Sequence, residues 1–82
     1  MRNKLDNELK NQIIEYISKI YWHYNRKFDY EDVLRAIKHN ANTKKGFNSL
    51  MNAVIKMSAK ETDKNIIALR SKLVFFRSLY EI

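Results

Sequence analysis

The chain has 82 residues and no cysteine, and its sixteen Lys and Arg outnumber nine acids to give a net charge of +7. That length supports one small domain with a modest core and leaves no room for a separate substrate domain. The lack of cysteine excludes a disulfide framework, a thiolate zinc site and a thiol nucleophile, and fits a cytoplasmic protein held together by packing alone.

The amino terminus, "MRNKLDNELK", is polar from its first residues, and the longest apolar run, "LVFF" at 73 to 76, is far too short to cross a bilayer. Neither an export signal nor a membrane span is expected. One glycine, no proline and no alternating apolar run predict an all-α chain: a single domain over residues 1 to 82, built as a compact bundle of three to four helices.

The first helix is expected over residues 4 to 25. Leu5, Leu9, Ile13, Ile17, Ile20, Tyr21 and Tyr24 share one side at about 100° per residue, with Lys4, Glu8, Asn11, Glu15 and Lys19 opposite. Its end runs into "YWHYNRKFDY", residues 21 to 30, which holds five of the ten aromatic residues of the chain beside His23, Arg26 and Lys27. Aromatic residues among bases can stack single-stranded nucleotides, but Tyr21 and Tyr24 continue the inner stripe and read as core and corner packing. Trp22 projects to the polar side, so it either packs under the loop near Phe28 and Tyr30 or anchors a partner protein.

Asp29 caps a second helix that ends near Asn40, with Tyr30, Val33, Leu34, Ile37 and Ala41 on one face. Asn42 or Thr43 caps a third to about Ser58, and Thr62 or Asp63 a fourth to about Tyr80. With no Gly or Pro after residue 46, an arrangement in which the last two run together stays open.

In the fourth helix Ile66, Ile67, Leu69, Leu73, Val74, Phe75, Phe76 and Leu79 wrap nearly around the axis. This implies burial on several sides, or a second copy covering what one chain leaves open. Burial of the apolar residues of "KLVFF" is expected, because an exposed run of that kind invites strand pairing between chains. Arg70 and Arg77 fall on one line within this arc. They either reach past its edge to water or bind an anion or an acidic partner.

Charge is uneven along the chain. Residues 1 to 32 balance six bases with six acids, whereas residues 33 to 60 hold six bases and no acid. Such a stretch is the footprint of a surface facing a polyanion, although a Lys- and Asn-rich composition also places lysine on any solvated face. The third helix lies within it. Phe47, Leu50, Met51, Val54 and Ile55 form its inner stripe, and Lys45, Asn48, Ser49, Asn52 and Lys56 lie opposite. Asn can pair with the adenine edge and Lys with guanine in a DNA major groove, Ser can bond either, and none of them repels phosphate. The preceding "YEDVLRAIKHNANT" completes a helix-turn-helix-like middle. Its connecting run "KHNANT" is longer than the usual turn of three or four residues, and Gly46 falls inside the proposed recognition helix.

Signals of catalysis are weak, and no metal or cofactor is expected. His23 and His39 stand sixteen residues apart with no ligand spacing, and one glycine cannot build a phosphate-cradling loop. Arg35 to His39, "RAIKH", resembles the arginine and histidine pair of all-helical HEPN ribonucleases, but its intervening segment is shorter than that family's, so no ribonuclease expectation follows.

Two non-enzymatic readings remain. In the first, a DNA-binding transcription regulator, as a monomer or a homodimer, uses helix 43 to 58: Asn48, Ser49 and Asn52 meet bases, while Lys38, Lys44, Lys45, Lys56 and Lys60 hold phosphates. In the second, a protein-binding helical module of inhibitor or bacteriocin-immunity type meets its partner through Trp22, His23, Arg70 and Arg77.

Overall fold

Each helix begins where a side chain or backbone carbonyl meets the free N–H groups of its first turn. The computed structural model describes residues 6 to 80, so Lys4 and Leu5 lie outside the described residues. Asp6 opens α1 (Asn7–His23), its carboxylate accepting from the Leu9 N–H at 2.8 Å. Helix α2 (Tyr30–Asn40) starts at Asp29 through backbone bonds alone, its carbonyl accepting from the Asp32 and Val33 N–H groups. The Thr43 hydroxyl caps α3 (Lys44–Met57) by accepting from the Gly46 N–H at 3.0 Å. At α4 (Lys64–Tyr80), Asp63 accepts from Asn65 at 2.8 Å and from Ile66 at 3.3 Å. These four are the helices of the described residues, and no strand occurs among them.

The last two helices are separate. Ser58 ends α3 fully buried, its hydroxyl donating to the Val54 carbonyl at 2.7 Å, and the Arg70 guanidinium on α4 donates to the Ser58 carbonyl. A C-terminal carbonyl of α3 is thus satisfied from α4, which fixes the reversal between two helices that no proline or glycine divides.

Helix α1 packs against all three others and carries the centre of the core. Ile13, Ile17 and Ile20 are fully buried, as expected, but Ser18 is fully buried as well and Ile14 is buried, and neither belongs to the single stripe. A helix with neighbours on three sides needs a broader buried arc than one stripe. The Ser18 hydroxyl tolerates that position by donating to the Ile14 carbonyl at 2.7 Å. Tyr24 departs the other way. It is the C-terminal cap of α1, not part of its inner stripe, and its ring is exposed.

Val33, Ile37 and Ala41 from α2, Phe47, Met51 and Val54 from α3, and Ile66 and Leu73 from α4 complete the core. Each fully buried side chain of this size contributes about 1.5–3 kcal/mol. The Cα radius of gyration is 12.1 Å, as expected of a packed chain of this length.

Helix α4 corrects one expectation. It touches α1 and α3 but not α2, so only part of its apolar circumference finds a neighbour. Within "KLVFF", Leu73 is fully buried while Val74 and Phe75 face outward, Phe75 with 59% of its surface exposed. Leu79, one turn beyond Phe75, is exposed too.

Candidate nucleic-acid interface

The junction of α2 and α3 is tighter than the sequence suggests. Lys38, His39 and Asn40 still belong to α2, so the connection is only Ala41, Asn42 and Thr43, within the length of a helix-turn-helix turn. Ala41 is buried and anchors the turn in the core. Gly46 serves the same junction from inside α3. A Cβ there would lie within the van der Waals shell of the Asn40 carbonyl oxygen and 3.1 Å from the Thr43 hydroxyl. This is the third residue after the cap, where a capping box would place glutamate, and the close approach of α2 leaves room for no side chain.

The first turn of α3 contains Lys44 and Lys45 and no acid. At the positive end of a helix dipole, stability alone favours acids, by roughly 0.3–1 kcal/mol for each favourable charge. From that turn onward, Lys45, Ser49, Asn52 and Lys56 recur at helical spacing on one exposed line. Lys44, at the edge of this line, is exposed, as are Lys38 in the last turn of α2 and Lys60 in the link after α3.

Asn48 differs from its neighbours. It is partly buried, and its Oδ1 is shielded from water without a hydrogen-bond partner among the described residues. Asn52 is exposed but engaged: the Arg77 guanidinium donates to its Oδ1 at 2.8 Å across the α3–α4 contact. One residue from each of the two expected site sets is therefore joined to the other.

Two residues join this surface that sequence reasoning left out of it. Arg77 falls in the apolar arc of α4, where the sequence suggests a protein contact, and only the packing of α4 on α3 brings it to Asn52. Lys10, from the charge-balanced first helix, lines an open concavity with Asn7, Asn11, Lys38 and Asn42, and no acid shares it. Its sequence signal was hidden because Asp6 and Glu8 offset it in the charge count, whereas in space they do not line that hollow.

The other expected set is dispersed and turned to internal bonds. Trp22 packs under the loop: its indole N–H donates to the Phe28 carbonyl at 2.8 Å, Tyr30 meets it edge-on at 5.6 Å, and the Arg26 guanidinium lies 4.0 Å from its ring centre. His23 Nε2 is 3.4 Å from Glu61 Oε1, which also accepts from the Tyr24 hydroxyl, while Glu61 Oε2 accepts from the Thr62 and Asp63 N–H groups. The hydrogen bond from Tyr24, then those from the Asp63 and Thr62 backbone, hold the Glu61 carboxyl below its ordinary range. The bond to Glu61, reinforced by burial and by the charge of the carboxylate, pushes the Tyr24 phenol up to about 12. This clasp ties the end of α1 to the link between α3 and α4. Arg70 is spent on the Ser58 carbonyl.

No group of three His, Asp or Glu among the described residues is placed to hold a metal ion, and no helix there is long and apolar enough to cross a membrane. Comparison of the chain with protein-family models, curated proteins and solved structures finds no match.

Proposed function

We propose that the protein is a small DNA-binding regulator that lays α3 in the major groove. The observation that carries this reading is the outward line of α3, which starts with two lysines at the positive end of the helix and meets no acid as far as Lys56. Lysine in that first turn works against helix stability, so a polyanion across the surface gives it a purpose that folding does not. The three-residue connection between α2 and α3 supports the same reading, since it matches the turn by which helix-turn-helix proteins present their second helix.

In this arrangement Lys44, Lys45, Lys56 and Lys60 neutralise phosphates along α3 and its end, Lys38 and Lys10 hold the backbone beside the turn, and Ser49 and Asn52 reach base edges. Asn48, with its carbonyl oxygen shielded, contributes at most its amide N–H groups. A second copy would sit on the outward face of α4 at Val74, Phe75 and Leu79, and pairing would let two copies read two half-sites.

The same exposed apolar residues favour a second reading, a module that binds a partner protein through α4 and uses no nucleic acid. Affinity capture from cell extract with and without nuclease separates the two. Loss of all bound material on nuclease treatment supports the DNA reading, and a stoichiometric protein partner that survives it supports the second.

A further inference from the structure

We infer that Asn52 and Arg77 act as one unit made of hydrogen-bond donors, and that this unit selects guanine over adenine at the base pair it meets. The inference rests on the DNA reading and sharpens it. Asparagine recognises adenine with both ends of its amide, Oδ1 accepting from the base N6 amino group while Nδ2 donates to N7. Here Oδ1 already accepts from Arg77 at 2.8 Å, in a bond exposed to solvent. That bond turns Nδ2, which only donates, away from the guanidinium. The oxygen keeps a second lone pair, but the full positive charge beside it disfavours an approaching amino group. The guanidinium, meanwhile, keeps four of its five N–H groups for use elsewhere.

What the pair presents outward is therefore a set of donors, complementary to two neighbouring acceptors. In the major groove, guanine offers that pattern with O6 and N7. The rest of the α3 surface points the same way. Asn48 Oδ1 is shielded, lysines accept nothing, and the Ser49 hydroxyl is the one outward side-chain acceptor left on the line from Lys45 to Lys56. Thus a helix whose asparagines suggest adenine carries, once folded, a surface that reads acceptors.

The test is selection from random-sequence duplexes, followed by titration of duplexes that differ at the selected position, for the wild type and for Arg77→Met and Asn52→Ala. Wild type is expected to enrich guanine. Arg77→Met frees Asn52 Oδ1, so its preference at that position should move to adenine, by roughly 5- to 150-fold in relative affinity. Asn52→Ala, at an exposed position, should keep the fold and weaken the guanine preference without creating one for adenine.

Adenine selected by the wild type would overturn the inference. So would an Arg77→Met variant that loses affinity equally for every duplex with a salt slope smaller by about 0.9, the mark of a phosphate contact. If Arg77→Met does not fold, an unchanged base preference in Asn52→Ala overturns it alone. Failure of the wild type to bind any duplex would remove the DNA reading itself, and the inference with it.

Discussion

The backbone carbonyl of Asn40 occupies the space that a side chain at Gly46 would need. Helices α2 and α3 therefore meet by backbone approach, and the orientation of the α3 surface depends on a missing methyl group. In an ordinary helix interior, replacing glycine with alanine stabilises by roughly 0.8–1 kcal/mol. Here Gly46→Ala is expected to destabilise by about 1–3 kcal/mol, as overpacking does. Urea unfolding with an unchanged m-value measures it, and a stabilised variant would show that the junction is looser than described.

The "KLVFF" run divides by side. Leu73 is fully buried and Phe75 largely exposed, so Leu73→Ala should cost about 2–5 kcal/mol and Phe75→Ser should stay within about 0.5 kcal/mol of wild type. Equal losses at the two positions, measured on dilute protein, would contradict the placement of α4.

The Glu61 clasp gives stability a pH dependence at both ends of the scale. Glu61 has a lowered folded-state pKa, so its contribution is present above the ordinary carboxylate range and is lost as pH falls through the folded value. Tyr24 is raised to about 12 from an ordinary 10, so its contribution is complete below pH 10 and is lost as pH rises toward 12. Tyr24→Phe should flatten the alkaline loss and raise the apparent pKa of Glu61. An alkaline limb as steep in the variant as in wild type would place the titrating group elsewhere.

Trp22 separates structure from partner binding. Trp22→Phe removes the indole N–H that reaches the Phe28 carbonyl, and the loss of that bond should cost about 0.5–1.5 kcal/mol. Duplex affinity, measured well below the melting temperature, should not change. Loss of affinity at full folding would move the candidate surface from α3 to the end of α1.

The helices were legible because their signals are local. A 3.6-residue apolar period and an Asp or Thr before each segment place α2, α3 and α4 to within a residue or two of their observed ends. What failed depends on neighbours. Ile14 and Ser18 are buried because α1 is surrounded, Phe75 is exposed because α4 is not, and neither fact is written in the helix that carries it. The α2–α3 connection is shorter than the polar run "KHNANT" suggests, because Lys38 to Asn40 belong to the helix, with Asn40 donating back to the Ala36 carbonyl at 3.0 Å. The outward placement of Lys44, Lys45, Ser49 and Lys56 was legible from the helical period. The states of Asn48 and Asn52 were not, since one is decided by packing and the other by Arg77, twenty-five residues away.

Whether the acid-free line of α3 holds phosphates is read from the salt dependence of duplex binding. Wild type and the Lys45→Ala and Lys56→Ala variants are titrated with labelled duplex across a range of salt concentrations. The wild type should bind, most tightly at low salt where screening is least, and each substitution should lower the slope of log K against log salt by about 0.9. No association of the wild type with any duplex at low salt, or slopes that both substitutions leave unchanged, would contradict the account.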